Sequence, residues 1–223
     1  MSNAQVAAKR AAALRAVQLV RSGMVVGLGT GSTARFAVEE IGRLLAAGQL
    51  RDIKGVPTSR ATRDVAVAAG VPVTTLEQHP AVHLTIDGAD EVDPAGNLIK
   101  GHGGALLWEK IVASASEQLV IVVDPSKMVR RLGSTRALPV EVVSFGWRVH
   151  EPAMRALGAE PRLRVDERGD AYRTDEGHYI IDCEFPGGIR NPKGVQRTLR
   201  ARAGVIETGL FLGFTPEVIV GAD

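Results

Sequence analysis

Apolar residues recur along this chain in two rhythms, and their alternation predicts most of its elements. Ala13, Leu14, Val17 and Val20 share one helical face, which Ser22 and Gly23 end. Residues 24–28 form a continuous apolar run of strand length, followed by Gly29-Thr30-Gly31-Ser32-Thr33 and a helix with Ala37, Ile41, Leu44 and Leu45 on one side. A strand at 53–56, a helix carrying Thr62, Val65, Ala66 and Ala69, and a short strand at 71–74 continue the alternation. Leu84, Thr85 and Ile86 then run into Asp87 and Gly88, Leu98 and Ile99 form a brief second strand, and Trp108, Ile111, Val112 and Ala115 repeat at helical spacing. Residues 118–123 are again unbroken and apolar. Strands of this kind separated by helices predict an α/β fold with a doubly wound, mostly parallel, Rossmann-like sheet.

From about Arg131 the rhythm changes. Val140, Val142 and Val143 make a strand, Val149, Ala153, Ala156 and Leu157 a helix, and Leu163 and Val165 alternate with arginines. Turn residues at 166–170 and 175–177 precede an apolar strand at 179–185, and a helix starts near Pro192. This order predicts a smaller α+β, ferredoxin-like domain with an antiparallel sheet, inserted before the C-terminal strands. Val205 with Ile206, and residues 218–220, are expected to rejoin the first sheet. The expected domains are 1–130 with 205–223, and 131–204.

Composition alters this picture little. Hydrophobic residues at 45% and charged residues at 23% suit an ordinary globular chain, and a net charge of +2 gives no ground for a nucleic-acid or membrane partner. A single cysteine, Cys183, sits inside an apolar strand pattern, which predicts a packed thiol and excludes an internal disulfide. The first residues carry no signal-peptide core and no run is long enough to span a bilayer, so a cytoplasmic location is expected. His79, His83, His150 and His178 lack metal-ligand spacing, and no metal or cofactor is expected.

Two glycine-rich loops carry the candidate chemistry. The first, Gly29 to Thr33, joins a strand to a helix, where backbone N–H groups and the helix dipole favour an anion. It lacks the acid at the end of the next strand that a dinucleotide requires, and the Gly-Lys-Ser/Thr of a nucleotide P-loop. A single small-molecule phosphate fits best, with the hydroxyls of Thr30, Ser32 and Thr33 adding donors. The second loop lies in LTIDGADEVDPAGNLIKGHGGALLWEKI, residues 84–111. There Asp87, Asp90, Glu91 and Asp93 crowd one turn, Lys100 precedes Gly101-His102-Gly103-Gly104, and Glu109 stands near a helix start. Carboxylates, a lysine and a glutamate around a strand's carboxyl end make an acid–base site where open α/β sheets bind ligands. Lys127, just past the next strand, is placed to meet an anion at that edge.

GLGTGSTA at 27–34, TSRAT at 58–62, DGADEVD at 87–93, KGHGGALLWEKIVA at 100–113, DPSK at 124–127 and ETGLFLG at 207–213 resemble, in order, the motifs of the type A ribose-5-phosphate isomerases. The resemblance spans nearly the whole chain. It implies metal-free interconversion of ribose 5-phosphate and ribulose 5-phosphate in the non-oxidative pentose phosphate pathway, by a homodimer or dimer of dimers. It also implies Glu109 as catalytic base, and a substrate site lined by Thr30, Gly31, Ser32, Thr33, Asp87, Gly88, Ala89, Asp90, Lys100, Gly101, His102, Gly103 and Lys127. His102 stands where the family often has glycine.

The residues agree with that chemistry on their own terms. An enediolate intermediate needs a carboxylate over C1 and C2, and Glu109, desolvated beside Trp108, is expected to have a raised pKa suited to it. Lys100 and the loop amides are the candidate oxyanion donors. Asp87 is the candidate for ring opening, with Asp90 positioning hydroxyls or sharing the proton transfer. Two other readings compete: a sugar-phosphate sensor without catalysis, and coenzyme A transfer with a glutamate nucleophile. A sensor is expected to need a DNA-binding module, for which the N-terminal region leaves no segment, and the five charged groups together favour the isomerase.

Overall fold

The computed structural model describes residues 3–221. In chain order it contains α1 (Asn3–Val17), β1 (Val25–Leu28), α2 (Ser32–Ala46), β2 (Lys54–Pro57), α3 (Arg60–Ala68), β3 (Val82–Asp87), β4 (Glu91–Val92), β5 (Leu98–Ile99), α4 (Leu106–Ser114) and β6 (Ser116–Val123). There follow β7 (Leu138–Val142), α5 (Glu151–Ala156), β8 (Glu160–Leu163), β9 (Tyr179–Glu184), α6 (Pro192–Arg200), β10 (Val205–Thr208), β11 (Leu210–Phe211) and β12 (Glu217–Val220). The chain forms two compact units. The first comprises residues up to Ala89, Trp108–Lys127 and the chain from Phe214 on; the second comprises Asp90–Leu107 and Met128–Gly213.

The first unit is built on a parallel sheet in the order β12-β6-β3-β1-β2. Adjacent residues of its strands point to opposite faces and both faces are covered, which is why the strands read as unbroken apolar runs. Val26, Leu28, Leu84, Ile86, Val120 and Val122 pack with Ala12, Ala13 and Ala16 of α1 and with Ala37 and Ile41 of α2. Val25, Val56 and Val82 pack instead with Val112 of α4. From β1 the chain crosses to β2 on one side, and from β3 it crosses to β6 on the other. The neighbouring carboxyl ends of β1 and β3 are therefore the switch point of the sheet, where such folds bind ligands.

The second unit holds a four-stranded antiparallel sheet in the order β10-β7-β9-β8 and a small antiparallel sheet in the order β11-β5-β4. The sequence of elements β7-α5-β8-β9-α6-β10 with that strand order is the expected ferredoxin-like arrangement. Leu138, Val140, Val142, Ile181 and Cys183 pack there with Met154, Val195 and Leu199. The Cys183 thiol is buried in this core, and its pKa is pushed up to about 12 by burial and then by Asp182.

Three expectations need correction. Val205 and Ile206 do not rejoin the first sheet, because β10 pairs antiparallel with β7 and closes the four-stranded sheet. An apolar pair encodes burial but not a partner, and the short turn after α6 delivers it to the neighbouring strand. The boundaries shift accordingly: residues 90–107 and 205–213 belong to the second unit, while β12 does return to the first sheet beside β6. The predicted strand at 71–74 reduces to one bridge between Gly55 and Val73. Pro72 has no N–H to extend that pairing and contributes only its carbonyl, to the Gly55 amide at 2.8 Å. Met1, Ser2, Ala222 and Asp223, all within the expected first domain, lie outside the described residues.

Candidate active site

At the switch point of the first unit the chain leaves β1 through Gly29. The Gly29 amide donates to the Ile86 carbonyl at 2.9 Å, the Thr30 amide donates to Asp87 Oδ1 at 3.1 Å, and the Gly88 amide donates to the same oxygen at 2.7 Å. A Cβ at position 29 would lie 2.2 Å from that carboxylate oxygen and 2.5 Å from the Asp87 Cα, so only glycine lets the loop come this close. Asp87 is itself 1% exposed. The loop thus fixes a buried carboxylate at the end of β3.

The Thr30 hydroxyl, expected to add a donor for the ligand, is engaged beneath the loop. It donates to Ser59 Oγ at 2.8 Å and lies 2.8 Å from Thr58 Oγ1 and 3.0 Å from Thr62 Oγ1. Thr58 and Thr62 donate in turn to the Leu28 and Gly29 carbonyls, and Ser59 caps α3 by accepting from the Thr62 amide. The TSRAT segment is thus a scaffold of hydroxyls beneath the loop, satisfying backbone groups that no strand partner reaches.

Above that scaffold α2 begins at Ser32. Gly31, at φ 111°, has no side chain to cap it, and the first turn holds no acidic residue. Its first amides and the positive end of its dipole suit an anion. Lys9 of α1 is buried and donates through Nζ to Ser32 Oγ at 3.1 Å. A cavity of about 550 Å³ opens at this end of the helix, with Lys9, Gly29, Thr30, Gly31 and Ser32 in its wall. Lys127 ends the helical turn Pro125–Lys127 after β6 and is half-buried. That turn is set by buried Asp124, which accepts from both the amide and the hydroxyl of Ser126. Glu109 stands in the first turn of α4, only 5% exposed, next to half-buried Trp108.

In the second unit the acidic turn divides by role. Glu91 is fully buried and accepts from the amides of Gly133, Thr135 and Arg136 and from the Thr135 hydroxyl, at 2.5–2.8 Å. Asp93 caps its own turn through the Ala95 and Asn97 amides. Both are structural. Asp90 differs: its Oδ2 accepts from the His102 amide at 3.0 Å, tying the acidic turn to the second glycine loop. Lys100 is buried, with Nζ 5.6 Å from the centre of the Phe211 ring and its amide donating to the Gly209 carbonyl at 2.9 Å. Gly101, at φ 106°, turns the chain. His102 is exposed, and its Nε2–H donates to the Ala137 carbonyl at 3.1 Å. The carbonyls of Gly101 and His102 accept from one guanidinium nitrogen of Arg164 at 2.9 and 3.1 Å.

Each predicted site residue thus has a defined place: Thr30–Thr33, Asp87, Gly88, Ala89, Glu109 and Lys127 in the first unit, Asp90 and Lys100–Gly103 in the second. Among the described residues no group of His, Cys, Asp and Glu is arranged to hold a metal. Sequence reasoning missed Lys9 and Arg164. Lys9 left a signal, since it falls on the helical stripe of Ala13, Ala16 and Val20, where a cation is out of place in a core. Arg164 left none, because an arginine in an alternating strand reads as solvated.

The family model for ribose 5-phosphate isomerase A (phosphoriboisomerase A) matches residues 54–223. A probable ribose-5-phosphate isomerase 2 of Arabidopsis thaliana is 46% identical over 220 residues, covering 96% of this chain and 83% of that protein. Ribose-5-phosphate isomerase A of Desulfatibacillum aliphaticivorans is 49% identical, with 98% of this chain and 95% of the relative covered. A solved D-ribose-5-phosphate isomerase in complex with phospho-erythronic acid superposes with a TM-score of 0.93 at 38% identity, covering 96% of this chain and 93% of that one. Similarity of this extent, in sequence and in fold, makes the chain a member of the ribose-5-phosphate isomerase A family.

Proposed function

We propose that this chain interconverts D-ribose 5-phosphate and D-ribulose 5-phosphate through an enediolate, the aldose–ketose step of the non-oxidative pentose phosphate pathway. The observation that carries this reading is the set of buried acid–base groups on the family's motifs: Asp87, Lys100 and Glu109 are each no more than 5% exposed. Ionisable groups are seldom buried without partners or a task.

In this reading the phosphate is held by the first amides of α2, the Ser32 hydroxyl, Lys9 and Lys127. The uncapped helix start and the cation beside Ser32 support that assignment. The relative that binds phospho-erythronic acid supports a phosphorylated ligand of this size. Asp87 assists ring opening, with Asp90 orienting hydroxyls or sharing the proton, and Gly88 and Ala89 line the sugar. Glu109 takes the C2 proton of the open aldose and returns it to C1, and no metal is needed for that transfer. Lys100 and the amides of Gly101 and Gly103 meet the negative charge that develops on the sugar oxygens, while the His102 amide holds Asp90. A non-catalytic sensor would have no use for a buried base and a buried ammonium on successive motifs. The family resemblance extends the reading to a homodimer or dimer of dimers working in the cytoplasm, and sedimentation of the purified chain tests the assembly.

The direct experiment is to follow ribulose 5-phosphate formation from ribose 5-phosphate. Turnover is expected with the phosphorylated sugar, and very little with ribose, because binding energy at the remote phosphate positions the reacting carbons. Equal turnover of the two sugars would remove the phosphate assignment.

A further inference from the structure

We propose that Arg164 is a positioning residue for the reaction, holding the second glycine loop in the one shape that presents Lys100 and the Gly103 amide to the substrate and the His102 amide to Asp90. This inference rests on the assignment of that loop to the sugar.

Gly101, Gly103 and Gly104 give a segment with little conformational preference of its own, and glycine loses more freedom on ordering than any other residue. Something outside the loop must therefore select its shape. Arg164, immediately after β8, does so through a fork that is itself fixed. Its Nε donates to Asp182 Oδ2 at 2.8 Å and one terminal nitrogen donates to Asp182 Oδ1 at 2.5 Å, a bidentate pair with the arginine side chain 12% exposed. The other terminal nitrogen donates to the carbonyls of Gly101 at 2.9 Å and His102 at 3.1 Å.

The consequence for the loop is directional. Peptide planes whose carbonyls face Arg164 have their N–H groups on the opposite side, so the clamp sets where the amides of His102 and Gly103 point. The His102 amide is directed to Asp90, one of the proposed sugar contacts. Tyr172 completes the seat: its ring lies 5.8 Å from the Arg164 guanidinium, its amide donates to the Arg164 carbonyl at 3.0 Å, and its hydroxyl would lie 2.0 Å from a Cβ at Gly104. The loop is closed over a plate made of Tyr172, Arg164 and Asp182. A planar fork with donors on three nitrogens can hold two carboxylate oxygens and two carbonyls at once, which an ammonium cannot do.

The test uses Arg164→Lys, which keeps the charge beside Asp182 and loses the fork, together with Asp182→Asn, which loosens the fork while keeping Arg164. Both are expected to stay folded by circular dichroism. In each, kcat for ribose 5-phosphate should fall by about tenfold to a hundredfold, the scale of a small misplacement of reacting groups. Competitive inhibition by inorganic phosphate should be unchanged, because that probe reports on the first loop. Amide hydrogen exchange over residues 101–104 should become faster in both variants, by about tenfold or more if the loop opens freely. Wild-type kcat and wild-type loop exchange in Arg164→Lys would overturn the proposal. So would a loss of activity that only tracks a loss of folded protein. If the wild-type chain fails to turn over ribose 5-phosphate, the functional reading falls, and the exchange comparison still decides whether Arg164 sets the loop.

Discussion

The two glycine-rich loops of this protein each give one amide to an aspartate, and differ in what else holds them. The loop after β1 rests chiefly on a hydroxyl network from Thr58, Ser59 and Thr62 and on the start of α2, with Asp87 accepting from its Thr30 amide, and its glycine at position 29 is dictated by close approach to Asp87. The loop after β5 is held by charge: Asp90 on one amide, and Arg164 braced by Asp182 on two carbonyls. The difference matches the proposed tasks. A loop that binds a dianion gains from backbone amides and a helix dipole aimed at the ligand, with Lys9 and Lys127 reaching in from other elements. A loop that must face a charge developing only during reaction gains more from being fixed beforehand, and hydrogen bonds from its backbone to Arg164 and Asp90 fix it.

The largest effect expected from breaking this arrangement lies at Glu109, on the helix that follows the second loop. Glu109→Gln keeps the shape of the side chain and removes its basicity. Turnover should drop by about two orders of magnitude or more, the scale of losing a general base, while binding of ribose 5-phosphate by calorimetry stays similar. Exchange of the substrate C2 hydrogen with deuterated water, followed by NMR, should fall in parallel. Unchanged exchange would move the base to Asp87 or Asp90.

A smaller effect is expected beneath the first loop. Thr62→Val removes a buried hydroxyl that donates to the Gly29 carbonyl at 3.1 Å and lies 3.0 Å from Thr30 Oγ1. Chemical denaturation should show a loss of about 1–3 kcal/mol, the cost of stranding buried polar groups. Lys9→Met keeps the apolar stem and deletes the cation beside Ser32. The KM for ribose 5-phosphate should rise by about tenfold, consistent with one lost charge-assisted hydrogen bond, with kcat affected less. Should kcat fall while KM holds, the first loop would share in the chemistry and the contrast between the loops would fail.

The smallest effect concerns pH and lies in neither loop. His150 is buried, and burial, with Arg202 nearby, holds its pKa below the ordinary value of 6.5. The folded chain therefore prefers neutral imidazole. Its contribution to stability is present above pH 6.5 and is lost as pH falls through the lowered pKa, since the unfolded chain takes up the proton first. His150→Gln should flatten the decline of the thermal midpoint below pH 6.5 while leaving activity at neutral pH intact.

Much of the first unit was legible because its strands are buried on both faces and its helices carry one apolar stripe, so pattern and environment agree. The proposed site residues were legible there too, since a strand end followed by glycines is where the sheet exposes backbone to a ligand. In the second unit the ferredoxin-like order was legible from its turns, and its buried charges were not. Glu91 and Glu141 are buried carboxylates that a hydropathy pattern places at the surface. Glu141 accepts from Thr174 and from His178, and burial raises its pKa. Their partners lie more than thirty residues away, at separations of 33–45. No local window contains both halves of such a pair, and the same holds for Arg164 with the loop it grips.

The placement of β12 also constrains how the molecule is made. This strand pairs with β6, yet residues 128–213 lie between them in the chain. During synthesis the ferredoxin-like sheet has emerged in full while the parallel sheet still lacks its outer strand. Until Glu217–Val220 arrives, β6 presents an open edge along its apolar residues Val120–Val123, the kind of edge that invites pairing with another chain. A nascent chain stalled before residue 217 should therefore bind chaperones through β6, and its release should coincide with the emergence of β12.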